Sequence, residues 1–292
     1  MMTLDLLRIH PGAFAVMMGI VGLLFGSFLN VVIYRLPVMV QRELRRDARD
    51  VLDLELEIQP RFNLAVPNSR CPCCDRAIRP WENLPVLSWL ALRGRCSGCQ
   101  AKISVRYPLI ELATGLLSFI TAWHFGYGPQ CLFALVMVWG GIALFMIDID
   151  TMLLPDCIVL PGIWLGMVSA YFSIFSSLDN ALIGACVGYL AFAIPACVFS
   201  LITGRSGMGA GDFKLLALFG AWLGWQALPI IVLLSAVSGA IIGLITVRRG
   251  GEPYPFGPFI IVAGFLAMFY GHEIYAMCSH STGVAIGAKF FD

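Results

Sequence analysis

The feature that most constrains this chain is a series of long apolar runs. They cover about 12–33, 109–125, 131–147, 157–177, 181–202, 214–227, 229–247 and 257–277, separated by short breaks rich in Gly, Pro or charge. About 20 residues of helix cross a hydrocarbon core of roughly 30 Å. Composition agrees: 59% of the 292 residues are hydrophobic, 13% are charged, and the mean hydropathy is +0.84. Soluble domains usually carry about 25% charged residues. These values exclude a secreted disulfide scaffold, a disordered chain and an ordinary cytosolic enzyme. The expected fold is an all-α polytopic membrane protein with about eight transmembrane helices, the sixth of them short.

The first run is expected to be a retained span rather than a signal peptide. It is too long for an h-region and ends at Asn30 and Arg35 instead of a small-residue cleavage site. Thirteen of the 19 Lys and Arg residues lie between Arg35 and Arg106. Placing that segment in the cytosol and alternating sides at each span puts Arg205, Lys214, Arg248 and Arg249 there too. Only Arg8 and Lys289 remain outside, a split of 17 to 2 that follows the positive-inside rule. Three parts are expected: a first transmembrane helix (1–36), a cytosolic insert (37–107) and a membrane-embedded domain (108–292). Within the insert, Arg42 to Glu57 reads as a charged amphipathic helix solvated on one face. Trp222 and Trp225 read as membrane-interface anchors.

Two knuckles, Cys71-x-x-Cys74 and Cys96-x-x-Cys99, supply four thiolates for a tetrahedral zinc ion. Their 21 intervening residues slightly exceed the common spacing. A cytosolic setting disfavours the alternative, a pair of disulfides. Four sulfur ligands leave no open position for water, so the expected zinc is structural and substitutes for the core a small insert lacks. Cys73 is spare.

The chemistry-bearing feature is a set of carboxylates at membrane borders: Asp148-Ile149-Asp150 with Leu154-Pro155-Asp156, and Gly209-Ala210-Gly211-Asp212 followed by Phe213-Lys214. Acidic residues beside apolar spans default to a functional reading. One outgoing and one returning span separate Asp148 from Asp212, which puts both at the cytosolic face. Asp148 and Asp150 cannot pair on one helix, because residues two apart point in different directions. Two neighbouring carboxylates share one proton, so one acts as base toward water and the other as acid toward a leaving amine. Asp212 alone also suits a helix N-cap. Asp148, at the C-terminal end of its span, opposes the helix dipole, which favours the proton on Asp148 and the charge on Asp212.

These motifs resemble the bacterial prepilin peptidases, or type IV leader peptidases, which belong to the Gly-x-Gly-Asp membrane aspartyl proteases. The resemblance also includes Gly26-Ser27-Phe28-Leu29-Asn30-Val31-Val32-Ile33-Tyr34-Arg35-Leu36-Pro37 and Ser104-Val105-Arg106-Tyr107-Pro108-Leu109-Ile110-Glu111, and covers almost the whole chain. It implies a bifunctional enzyme of the bacterial inner membrane. Such an enzyme cuts the basic leader from type IV prepilins and type II secretion pseudopilins, then uses S-adenosylmethionine to methylate the new N-terminal amine, usually on Phe. On this pattern the catalytic pair is Asp148 and Asp212. The methyl-donor site has no residue assignment: Gly207-x-Gly209-x-Gly211 follows no strand and is not an adenosylmethionine fingerprint. The resemblance implies that methylation needs the insert and its membrane border, including Asn83-Leu84-Pro85. Partners are these protein substrates and the lipid bilayer, with no nucleic acid. The competing readings are a proton-coupled transporter and a non-catalytic pilin-assembly factor with a zinc knuckle. Against the first, transporters place ionisable groups near the midplane and show repeated halves.

Overall fold

The computed structural model describes residues 10–54, 60–205, 207–247 and 254–282. Arg8, Glu57, Arg248, Arg249 and Lys289 lie outside the described residues. Among the described residues there are nine α-helices, two short 3-10 turns and no strand, as expected of an all-α membrane protein. Every predicted apolar run falls on a helix: α1 (Pro11–Val51), α3 (Arg106–Phe125), α4 (Pro129–Thr151), α5 (Asp156–Tyr171), α6 (Leu178–Thr203), α7 (Ala210–Leu223), α8 (Leu228–Val247) and α9 (Gly257–Thr282). The ninth, α2 (Leu87–Ala91), belongs to the insert. Five segments, α1, α3, α4, α6 and Trp225–Ile245, are long and apolar enough to cross a membrane, whereas Asp156–Tyr171 and Gly257–Gly271 are shorter apolar stretches. The chain divides into two compact units, Met1–Ala143 and Leu144–Asp292.

In the first unit, α1 continues through Pro37 for 41 residues, so the expected span and the charged helix after it are one element. At about 1.5 Å per residue it is roughly twice as long as a bilayer core is thick. Pro37 deletes one helical hydrogen bond, but Arg35, Leu36 and Pro37 are all buried, and that packing holds the helix together. Small residues set the approach of α3: a Cβ at Gly26 would stand 2.8 Å from the Glu111 Cα, and one at Gly22 would overlap the Ser118 side chain. Close backbone packing of this kind holds helices together where lipid removes the hydrophobic drive. The buried hydroxyls of Thr114 and Ser118 donate to carbonyls one turn back at 2.7 Å, so neither is stranded. Trp139 of α4 donates to Ser118 Oγ at 2.9 Å and stacks on Phe25 with ring centroids 3.9 Å apart.

In the second unit α7 is central. From Phe213 to Leu223 every residue except Lys214 is buried. Gly184 of α6 and Gly220 of α7 lie backbone to backbone, with no room for a Cβ on either. Gly264 of α9 meets the Phe219 ring in the same way. Trp222, expected at the membrane interface, is instead a core residue. It is 1% exposed, and its Nε1 donates to the Gly162 carbonyl at 2.8 Å. That internal acceptor satisfies the indole N–H, so an interfacial position is not needed.

Candidate active site and metal centre

Asp148 lies in the last turn of α4, which ends where Met152 turns to φ +52° and donates its N–H to the Asp148 carbonyl at 2.8 Å. Its side chain is buried, 4% exposed, while Asp150 two residues later is exposed. The alternation that excluded a pair between these two residues is therefore present in the structure. Oδ2 of Asp148 accepts the N–H of Gly257 at 3.0 Å. Gly257 opens α9, where the first amides have no helical acceptor. A Cβ at Gly257 would lie 2.6 Å from Oδ2, so this approach requires glycine. The carboxylate thus meets the positive end of α9 as well as the negative end of α4. The preference for the proton on Asp148 expected from the α4 dipole is thus opposed by the start of α9.

Asp212 is in the first turn of α7, but the N-cap is Gly209 and no side chain caps the helix. Capping therefore does not account for Asp212. It is half-buried and within electrostatic reach of Asp148. Leu154 links the surroundings of the two acids: a Cβ at Gly211 would touch its Cβ at 3.0 Å, and one at Gly257 its Cδ1 at 3.4 Å. Lys214 grips both oxygens of Asp156 at 2.8 Å, fixing the start of α5 against the first turn of α7. The sequence marks both residues, Leu154 in Leu154-Pro155-Asp156 and Gly257 in the Pro255-Phe256-Gly257-Pro258 turn beside the cleft, and the structure adds their contacts with the surroundings of the two acids.

In the first unit the two Cys knuckles have the same local form. Cys71 N–H donates to the Arg76 carbonyl and Asp75 N–H to the Cys71 carbonyl, both at 2.9 Å. Cys96 N–H donates to Ala101 at 2.9 Å and Gln100 N–H to Cys96 at 3.0 Å. Asp75 and Gln100 both take positive φ, 53° and 59°. The Sγ atoms of Cys71, Cys74, Cys96 and Cys99 all lie within 4.8 Å of one another, and Cys71 and Cys99 are 3.7 Å apart. Four sulfurs about 2.3 Å from a zinc ion stand roughly 3.8 Å apart, so the cluster fits one. Backbone amides of Cys73 and Cys74 pull the Cys71 thiol down to about 6, toward the thiolate that binds metal. Cys73 itself is exposed.

Glu82 ties this cluster to the 3-10 turn Pro80–Asn83. It accepts from the Ser97 hydroxyl at 2.6 Å, from Arg79 N–H at 3.0 Å and from Arg76 at 2.7 and 2.9 Å. These donors, the Ser97 hydroxyl foremost, hold its carboxyl down at about 2.

Residues 20–125 match the model of the Bacterial Peptidase A24 N-terminal domain, and residues 135–244 that of the Type IV leader peptidase family. The chain is 52% identical over 281 residues to a prepilin leader peptidase/N-methyltransferase of Stutzerimonas stutzeri, covering 94% of this chain and 97% of the relative. Similar proteins of the same description occur in Pseudomonas aeruginosa (51% over 276 residues, 93% and 95% covered) and Legionella pneumophila (43% over 270 residues, 91% and 94% covered). No solved structure matches the chain. With such identity over nearly its whole length, this chain belongs to the prepilin leader peptidase/N-methyltransferase family.

Proposed function

We propose that this membrane enzyme cuts prepilins and pseudopilins with Asp148 and Asp212 as an aspartyl pair at the cytosolic face of a bacterial inner membrane, and then methylates the new N-terminus. Cleavage of prepilin leaders and N-methylation come with membership of the family. The assignment of the pair is supported above all by the Asp148 carboxylate, which is buried at a helix end, held by the Gly257 amide and within reach of the Asp212 charge.

Two such acids hold one proton between them. The charged one takes a proton from water, whose oxygen attacks the scissile carbonyl. The protonated one stabilises the developing oxyanion and then gives its proton to the leaving amine. The Gly257 amide keeps one oxygen of Asp148 fixed in orientation, and the Lys214–Asp156 pair fixes the turn that carries Asp212. A prepilin's apolar helix can lie in the bilayer while its basic leader emerges at the border where the acids sit. Cys71, Cys74, Cys96 and Cys99 would hold a zinc ion that supplies folding energy to the insert and takes no part in the cleavage. S-adenosylmethionine is the methyl donor for the second reaction.

Replacing Asp212 by Ala separates this reading from a transporter or an assembly factor. Leader cleavage should vanish while prepilin binding and membrane insertion persist; cleavage retained in that variant contradicts the pair.

A further inference from the structure

Three sequence segments far apart in the chain meet at Glu111. Glu111 and Asp148 are the two carboxylates buried among the described residues, and the peptidase reading uses only Asp148. Glu111 is 8% exposed, in the second turn of α3, under the backbone of Gly26. Its Oε2 accepts the N–H of Val86 at 2.8 Å. The Ser27 hydroxyl, beside Gly26, donates to the Asn83 carbonyl at 3.4 Å. One turn further along α1, Asn30 Nδ2 donates to the Tyr107 carbonyl at 3.2 Å.

The backbone that delivers the Val86 amide is strained. Val86 has φ +60° and ψ −46°, and Leu87 N–H closes on the Pro85 carbonyl, which makes a γ-turn centred on a β-branched residue. Such turns are rare, and left-handed backbone is unfavourable for valine. Strain of this kind gathers at functional sites, where the surrounding structure over-determines it. Beside the turn, Trp81, Leu84 and Leu87 leave their side chains exposed. The result is a buried carboxyl group at the border of a membrane helix, with uncovered apolar side chains next to it.

Cleavage leaves a substrate with this pattern: a cationic α-amine on the first residue of an apolar helix. We propose that Glu111 is a catalytic residue of the methyl transfer, holding that α-ammonium and taking its proton, with Trp81, Leu84 and Leu87 receiving the apolar first side chain. This rests on the methyltransferase activity of the family. A carboxylate offers about four lone-pair positions, so the Val86 donor leaves capacity for an ammonium. The ammonium passes one proton to Glu111 and becomes a neutral amine. Its nitrogen lone pair forms a bond to the methyl carbon of a sulfonium donor, the carbon–sulfur bond breaks with its electron pair on sulfur, and a neutral thioether leaves. The methylated nitrogen carries the positive charge.

The test is Glu111→Gln in the full-length protein in nanodiscs, because glutamine keeps an acceptor for the Val86 N–H while losing the charge and the base. Wild type without methyl donor should bind an apolar-helix peptide with a free Phe amine about 10-fold more tightly than its N-acetylated form, and the variant should lose that preference. With donor, methylation of pre-cut pilin should fall about 100-fold in the variant, with leader cleavage unchanged. The residual rate should climb as the pH passes about 8, where an α-amine deprotonates unaided. Retained preference and retained methylation in the variant overturn the proposal and leave Glu111 as a tether for the γ-turn. Loss of cleavage together with methylation also overturns it, as it marks a folding role. Wild type unable to methylate would instead overturn the functional reading beneath it.

Discussion

The backbone N–H of Gly257 meets Oδ2 of Asp148 at 3.0 Å across 109 residues of sequence, so the first amide of α9 holds a carboxylate from the last turn of α4. Replacing Gly257 by Ala should displace that carboxylate, because the added methyl would lie 2.6 Å from Oδ2. Misplacing a reacting group by about 1 Å can cost roughly 100-fold in rate. Leader cleavage by the Gly257→Ala protein should fall by about that factor, with methylation of pre-cut pilin unchanged. Cleavage at the wild-type rate would show that the Gly257 contact does not position the acid.

The Cys cluster predicts one zinc ion per chain and an insert that depends on it. Structural zinc sites supply roughly 10 kcal/mol or more of folding free energy. Stripping the metal with a chelator, or replacing Cys96 by Ser, should release amide-exchange protection across residues 70–103 while the membrane helices stay protected. A metal-free preparation with the same protection would contradict this.

Glu82 gives the insert a defined acid sensitivity. Its folded carboxyl titrates at about 2, below the ordinary unfolded value of about 4.3. A group with a depressed folded value contributes stability that is full above the unfolded value and lost as the pH falls through the folded one. The exchange protection that wild type holds over Glu82→Gln should therefore be constant above pH about 5 and shrink from there toward pH about 2. A difference independent of pH would assign the effect to shape alone.

Much of this architecture is legible in the sequence because its signals are local. Each apolar run is long enough to declare a helix, the two knuckles carry their spacing within four residues, and the burial of Asp148 beside an exposed Asp150 follows from helical geometry. The Gly257 amide on Asp148 and the Val86 amide on Glu111 are backbone donors brought in from distant segments, and local sequence patterns do not show which carboxylate such a donor will meet. The second helix end at Asp148 is hidden for the same reason, since it arrives from far along the chain. The first span is expected to end at residue 36, yet α1 passes through Pro37, with Arg35, Leu36 and Pro37 all buried. The Arg35 guanidinium donates to the carbonyls of Asn63 at 2.9 Å and Pro67 at 2.6 Å, pinning the loop that follows.

The most direct test of the central claim is a double-mutant cycle on leader cleavage with Asp148→Asn, Asp212→Asn and the two combined. Residues that act as one unit lose activity together. Each single variant should drop to background, and the double variant should be no slower than either. Independent losses that multiply in the double variant, or measurable cleavage in either single one, would contradict a shared catalytic pair.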